Sequence, residues 1–348
     1  MINREKKNNF LNDLVYNVSS SSKKPITTVK LGYIGDYPIL SYTSWDKNIT
    51  LYNIQTMNKP STVYKKENLQ SPIFSQSFKP QQDPYIAFGY SLGNVSLFDL
   101  KNGKEDVLYK HEIGVKNLFW KDSNTIISGA WDGKLICYDI RMKYISFSHE
   151  FNHRIYAMDI SNYFFLCGLS ENCISVMDLR NMNQNIFETR VKFPITSCSI
   201  NTDGSSFVIA SNSGQIEVRN NTNLNDFNNY IFYPHQNTNN EIFSTNKVQF
   251  IMKDILCTGG SDGYCNFWDI KNKEHLFYGT SEAQAPIITF DVVQSLNKLN
   301  YIFVYAIGND FSKGPMFLKN NNNLSSEIFP SKIGIHNIEL GSIINKSF

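Results

Sequence analysis

One block recurs along the chain and leaves few folds open to it. Its clearest copy is Thr258-Gly259-Gly260-Ser261-Asp262-Gly263-Tyr264-Cys265-Asn266-Phe267-Trp268-Asp269-Ile270. The Asp262-Gly263 step supplies the positive φ that a tight hairpin turn needs, and Tyr264 to Ile270 then alternate inward and outward as a half-buried strand does. A second copy is Ser44-Trp45-Asp46-Lys47-Asn48-Ile49-Thr50-Leu51-Tyr52-Asn53-Ile54, and a third is Ala130-Trp131-Asp132-Gly133-Lys134-Leu135-Ile136-Cys137-Tyr138-Asp139-Ile140. Weaker copies end at Asp99-Leu100, Asp178-Leu179 and Arg219-Asn220. Aligned on the closing Asp or Asn, the copies stand 39 to 49 residues apart. A period of that length overrides the 348-residue chain length as a guide to domain number, because such units cannot bury their apolar faces alone and stack into one body.

From about Leu14 to Leu318 the chain resembles the WD40 β-propeller family. Trp268-Asp269 matches the signature dipeptide, and Tyr138-Asp139, Phe98-Asp99 and Met177-Asp178 are its usual variants. The resemblance implies an all-β fold, a single seven-bladed WD40 β-propeller closed by an amino-terminal strand. Residues 1–13 are then a flexible leader, 14–319 the propeller and 320–348 a tail. Blades one to six end near Ile54, Leu100, Ile140, Leu179, Asn220 and Ile270, with Asn220 to Asn246 read as a linker and inserted loop. The seventh unit lacks the closing Asp. Its strands are expected at Pro286–Val293, at Tyr301–Ile307 and at a third ending in Met316-Phe317-Leu318, with Leu14–Val18 as the fourth, leaving no open sheet edge.

The family's buried relay of His, Ser or Thr, Asp and an aromatic carries over in two blades. It falls on His111, Ser128, Asp132 and Tyr138 in one, and on His235, Thr258, Asp262 and Trp268 in the other. A buried carboxylate is tolerable only when its acceptors are filled, which a turn amide and a relayed His achieve.

Charge and cysteine content narrow the function. With 33 Lys and Arg against 31 Asp and Glu the net charge is only +2, so no global field draws the chain to nucleic acid or anionic membrane. The six cysteines fall on or beside apolar strand patterns without CxxC spacing, as packed free thiols of a reducing compartment would. The first nine residues carry no apolar run of signal-peptide type, and no segment approaches the roughly 18 apolar residues of a membrane span. Gly259-Gly260-Ser261-Asp262-Gly263 mimics a nucleophile elbow, but that elbow needs a strand followed by a helix, and here a second strand follows. His149 and His153 stand four apart, a spacing that converges on a metal only in a helix, and no helical start signal is present. No catalytic residue, metal or cofactor is expected.

The carboxy-terminal third is more specific. His235, the 260–269 hairpin, Thr280-Ser281-Glu282 before Pro286-Ile287, Tyr305-Ala306 and Asp310-Phe311-Ser312-Lys313-Gly314 follow in that order. In this stretch the chain resembles the WD40 mRNA export factors of the nuclear pore, which are paralogous to the mitotic-checkpoint WD40 proteins. The resemblance implies a non-enzymatic adaptor whose propeller face holds a partly acidic segment, the GLEBS motif, of a nucleoporin or a checkpoint kinase. Asp310, Phe311 and Lys313 match the binding-face motif, with Phe311 where Trp is more usual, and Lys192 matches a basic family position. Thr196 and Gln215 stand where relatives carry arginines, and Arg190 and Arg219 are the candidates to replace them. The expected location is the nucleus and nuclear envelope or pore, with some protein in the cytoplasm, as a monomer within a complex and with weak RNA contact. A kinetochore adaptor, or a scaffold subunit without an RNA role, is the alternative.

Overall fold

The structure, a computed structural model, describes residues 18–19, 24–57, 59–161, 164–180, 184–191, 194–220, 229–281, 285–310 and 331–339. Within these residues, seven antiparallel sheets of four strands each succeed one another along the chain. The first strands are Ile26–Ile34, Ile73–Phe78, Val115–Trp120, Ile155–Ile160, Ile195–Ile200, Thr245–Met252 and Ile287–Gln294. Each touches the first strand of the next sheet, and the seventh touches the first, so together they form a closed inner wall around a channel. The chain is a seven-bladed β-propeller.

Each sheet runs one strand past the Asp-ended repeat. Blade one continues from Ile49–Asn53 to Ser61–Lys66, and blade five from Ile216–Asn220 to Tyr230–Phe232, inside the stretch read from sequence as linker. These outer strands are largely exposed, so they lack the strong apolar alternation that marks the inner ones. The Asp-Gly turns behave as expected: Gly133 and Gly263 have φ of 81° and 78°. At Gly133 a Cβ would also lie 2.6 Å from the Phe151 carbonyl, so a side chain there is excluded twice over.

Blade seven departs from its expected layout. Its third strand is Lys332–Glu339, paired along Asn300–Ile307, in the segment read as tail. The expected third strand, ending at Leu318, lies outside the described residues. Closure comes from Val18–Ser19, which pairs with that third strand through Val18↔Ile333 and Ser19↔Lys332; residues 14–17 lie outside the described set. The junction is apolar: Leu31, Leu40 and Tyr42 of blade one pack with Val304, Ile333 and Ile335 of blade seven.

Packing follows the same rule elsewhere, with each core cluster shared by two neighbouring blades. Between blades six and seven, Phe267 stacks on Phe277 at 4.5 Å and packs with Phe290 and Phe303. Around the channel, polar side chains stitch one blade to the next. Asp291 accepts the Leu31 amide at 2.8 Å, Asp159 accepts the Ile200 amide at 2.9 Å, Ser199 Oγ accepts the Phe250 amide at 3.0 Å, and Gln249 Nε2 donates to the Val292 carbonyl at 3.1 Å. These bonds satisfy ladder groups that the inner strand edge would otherwise leave open.

Candidate partner-binding face

The second residue of every inner strand is a β-bulge. Register shifts fall between Ile26 and Thr28, Ile73 and Ser75, Val115 and Asn117, Ile155 and Ala157, Ile195 and Ser197, Thr245 and Lys247, and Ile287 and Thr289. A bulge inserts an unpaired residue and re-aims its side chain. The seven residues so placed, Thr27, Phe74, Lys116, Tyr156, Thr196, Asn246 and Ile288, all line the channel, and most of them also line a cavity of about 380 Å³ at its mouth.

The turns between second and third strands rise around this mouth. Trp45 of blade one and Trp131 of blade three flank Phe74 of blade two, with ring centroids 5.1 and 5.3 Å apart. Backbone bonds hold both tryptophans, from the Trp45 amide to the Pro25 carbonyl and from the Trp131 amide to the Gly114 carbonyl. Trp45 is 47% exposed, and Leu92 and Ile113 on connections of the same face are 59% and 40% exposed. An aromatic arc open to solvent beside a concave mouth makes this face the candidate interaction surface of the described residues.

The two relays lie on this face and differ. In blade three His111 stands 3.1 Å from Asp132 Oδ2 through Nδ1 and 2.7 Å from Ser128 Oγ through Nε2. Asp132 also accepts the Glu112 and Lys134 amides at 3.0 and 2.9 Å. Burial pushes the Asp132 carboxyl up, but the His111 bond and the turn amides outweigh it and hold the group below its ordinary value. The hydroxyl that reaches Ser128 is that of Tyr109, at 2.8 Å; Tyr138, the expected fourth member, instead stacks on Tyr109 at 4.9 Å.

In blade six His235 Nδ1 stands 2.8 Å from Asp262 Oδ1, and Trp268 Nε1 donates to Thr258 Oγ1 at 3.3 Å. The link between these halves is absent: His235 Nε2 is buried without a partner. Asn266, in the position of Ile136, donates to the Pro234 carbonyl at 3.0 Å and meets His275 Nε2 at 3.2 Å.

The residues assigned to partner binding scatter. Asp310 is at the mouth and accepts from Asn246 Nδ2 at 2.9 Å and from Ser261 Oγ. Arg190 lies on the connection into blade five with its side chain 56% exposed, 3.9 Å from Glu217. Arg219 is not available as a replacement contact: it is 7% exposed, 2.7 Å from the fully buried Glu217, and it donates to the Glu188 carbonyl. Thr196 donates to the Thr245 carbonyl at 2.6 Å, and Gln215 donates to the Tyr233 hydroxyl at 2.8 Å. Lys192, Phe311 and Lys313 lie outside the described residues. The aromatic arc was missed from sequence, although the repeated Trp-Asp step at 45–46 and 131–132, in turns rather than at strand ends, marks it.

Lookalike chemistry finds no support. Ser261 is in a strand-turn-strand hairpin, His149 is on an outer strand facing Phe151, and His153 is 3.8 Å from Glu171. Among the described residues no group of three or more His, Cys, Asp or Glu is placed to hold a metal ion, and no helix is long and apolar enough to cross a membrane.

No protein-family model matches the chain. Curated relatives do. The chain is 25% identical over 340 residues to the poly(A)+ RNA export protein of Schizosaccharomyces pombe, covering 94% of this chain and 92% of that one. It is 24% identical over 307 residues to the mRNA export factor GLE2 of Chaetomium thermophilum, covering 85% and 82%. It is 26% identical over 249 residues to the mitotic checkpoint protein bub3 of Dictyostelium discoideum, covering 68% and 73%. With its seven blades and Asp-ended repeats, the chain is a seven-bladed propeller similar over most of its length to WD40 export factors and, at comparable identity, to the Bub3 checkpoint proteins.

Proposed function

We propose that the protein is a non-enzymatic adaptor of the nuclear pore and mRNA export machinery that holds a GLEBS-like nucleoporin segment on the face bearing Trp45, Phe74 and Trp131. The observation that carries the reading is the solvent-open aromatic arc beside the mouth cavity. Large aromatic anchors next to a concavity dominate binding energy at protein interfaces. Export-factor relatives aligned over nearly the whole chain supply the partner class. Lys313, Phe311 and Lys192 are proposed as the basic and aromatic contacts to the acidic part of that segment, and Asp310 and Arg190 as further contacts. The protein then works at the nuclear rim as a monomer within a complex, with a share in the cytoplasm and weak contact to RNA.

Calorimetry of the purified chain against a synthetic GLEBS-like nucleoporin segment tests the reading. Trp45→Ala with Trp131→Ala is expected to weaken binding by about 2 kcal/mol or more. Lys313→Glu is expected to cost about 2–5 kcal/mol for a desolvated pair and much less at a wet rim. Lys101→Glu, away from this face, is the control. Unchanged affinity in both the aromatic and the Lys313 variants would overturn the assignment. The Bub3 relatives match at similar identity, which favours a kinetochore adaptor as second reading; tagged protein confined to mitotic kinetochore foci would replace the first with it.

A further inference from the structure

The channel holds three lysines and an uneven supply of carboxylates. Lys30 of blade one is paired with Asp291 at 3.0 Å. Asp159 Oδ2 is taken up by Ser199 Oγ at 2.8 Å and the Ile200 amide at 2.9 Å, and Asp310 at the mouth by Asn246 and Ser261. Lys116 of blade three and Lys247 of blade six remain. Among the described residues neither has a carboxylate at ion-pair distance, and Lys247 feels Asp159 and Asp291 only at longer range. Both line the channel, a space of about 350 Å³, and Lys116 also lines the mouth.

Lys116 is solvent-exposed at the channel mouth, where crowding by the surrounding wall and then the charge of Lys247 pull its ammonium below the ordinary value. Enclosure and then Lys30 do the same to Lys247. Lysines that line one channel, with the charge of one lowering the pKa of the next, gain from an anion placed between them. We propose that the channel binds a compact phosphate-bearing anion between Lys116 and Lys247. The charges match, since two unpaired ammoniums balance a dianion. The volume matches as well, because the space is within the range of small-ligand sites. Lysine serves phosphate as a mobile point charge, and the two reach it from opposite parts of the wall. The site extends inward from the aromatic mouth, with which it shares Lys116.

The test is calorimetry of the full chain in chloride buffer with inorganic phosphate and then tripolyphosphate as probes, at constant ionic strength. Saturable binding of one anion per chain is expected, with Lys116→Gln and Lys247→Gln each weakening it about tenfold or more, as loss of one charge-assisted contact does. A control substitution, Lys101→Gln, should leave the affinity unchanged. A thermal-melting series guards against misfolding: in phosphate-free buffer both variants should melt at or above wild type, because each loses an uncompensated charge. Phosphate should raise the wild-type melting temperature and leave that of the double variant unmoved. Absence of saturable binding, or equal affinity in wild type and the double variant, overturns the proposal.

Discussion

Blades three and six carry the same relay pattern and bond differently. Ser128-Gly129-Ala130-Trp131-Asp132-Gly133 in one corresponds to Thr258-Gly259-Gly260-Ser261-Asp262-Gly263 in the other, and each follows an upstream histidine. In blade three the chain of bonds is continuous from Asp132 through His111 and Ser128 to Tyr109. In blade six it stops at His235. Two substitutions and one reoriented tyrosine account for the break. Gly260 replaces Ala130, and a Cβ there would lie 2.4 Å from the His235 ring, so the ring occupies space that blade three denies to His111. Asn266 replaces Ile136 and brings its own polar network into the blade. Tyr233, the counterpart of Tyr109, is turned toward Gln215. A sequence pattern therefore fixes which residues meet, while the small residues around them decide which atoms bond.

The largest expected effect is at the carboxylates. Asp132→Ala would strand the His111 imidazole and two turn amides, and breaking a buried network by removing its charged member costs about 3–5 kcal/mol. Asp262→Ala also destabilises, by about 1–3 kcal/mol, because the network it anchors is shorter. Chemical denaturation of both variants checks the order, and a larger loss at Asp262 would break the comparison. Acid sharpens it. The Asp132 carboxyl is held below its ordinary value in the folded state, so its contribution is fully present above the unfolded value of about 3.9 and is lost as pH falls through the lower folded value. Wild type should lose stability faster than Asp132→Asn on acidification below about pH 4. Parallel acid profiles would remove the linkage.

A smaller effect is expected at the glycine that separates the two blades. Gly260→Ala should destabilise by about 1–3 kcal/mol through overpacking against the His235 ring. Adding Asn266→Ile restores the blade-three environment and lets the ring move toward Thr258. The double variant should then be more stable than the two single losses summed. Additive losses, measured by thermal melting, would show that Gly260 does not set the ring position.

How far such detail can be read from sequence differs from site to site. The six hairpins were legible because a turn signal followed by alternation encodes a local turn and strand, most clearly at the two Asp-Gly steps, where Gly133 and Gly263 adopt the positive φ this demands. Blade seven was partly hidden. Ile333 and Ile335 are fully buried and alternate as a strand should, yet no closing Asp marks them, so Lys332–Glu339 was passed over. The channel ring could not be read at all: a bulge is decided by ladder registration, and nothing local to Lys116 or Tyr156 announces one. Arg219 is a different case: its charge reads as surface, although strand alternation puts Glu217, two residues back, on the same face, and the fold buries the pair.

The smallest expected effect decides which aromatic ends the blade-three relay. Sequence alignment points to Tyr138, because it holds the place of the signature Trp, and in blade six Trp268 does donate to Thr258. In blade three the hydroxyl at 2.8 Å from Ser128 belongs to Tyr109 on the preceding blade's outer strand, and Tyr138 supports it from one face. Burial pushes the Tyr109 phenol above its ordinary value, while the Ser128 bond works the other way, so the hydroxyl is neutral near neutral pH. Tyr109→Phe removes that hydroxyl and keeps the stacked ring, so the loss is one neutral hydrogen bond, about 0.5–1.5 kcal/mol. Tyr138→Phe keeps the same stack and removes no bond to Ser128, so its effect should stay within about 0.5 kcal/mol, as for a change away from buried networks. Adding Ser128→Ala to each should make the Tyr109 loss shrink, because the bond has already gone, and leave the Tyr138 effect as it was. A Tyr138 effect that depends on Ser128, together with a Tyr109 effect that does not, would return the relay to the order the sequence suggests.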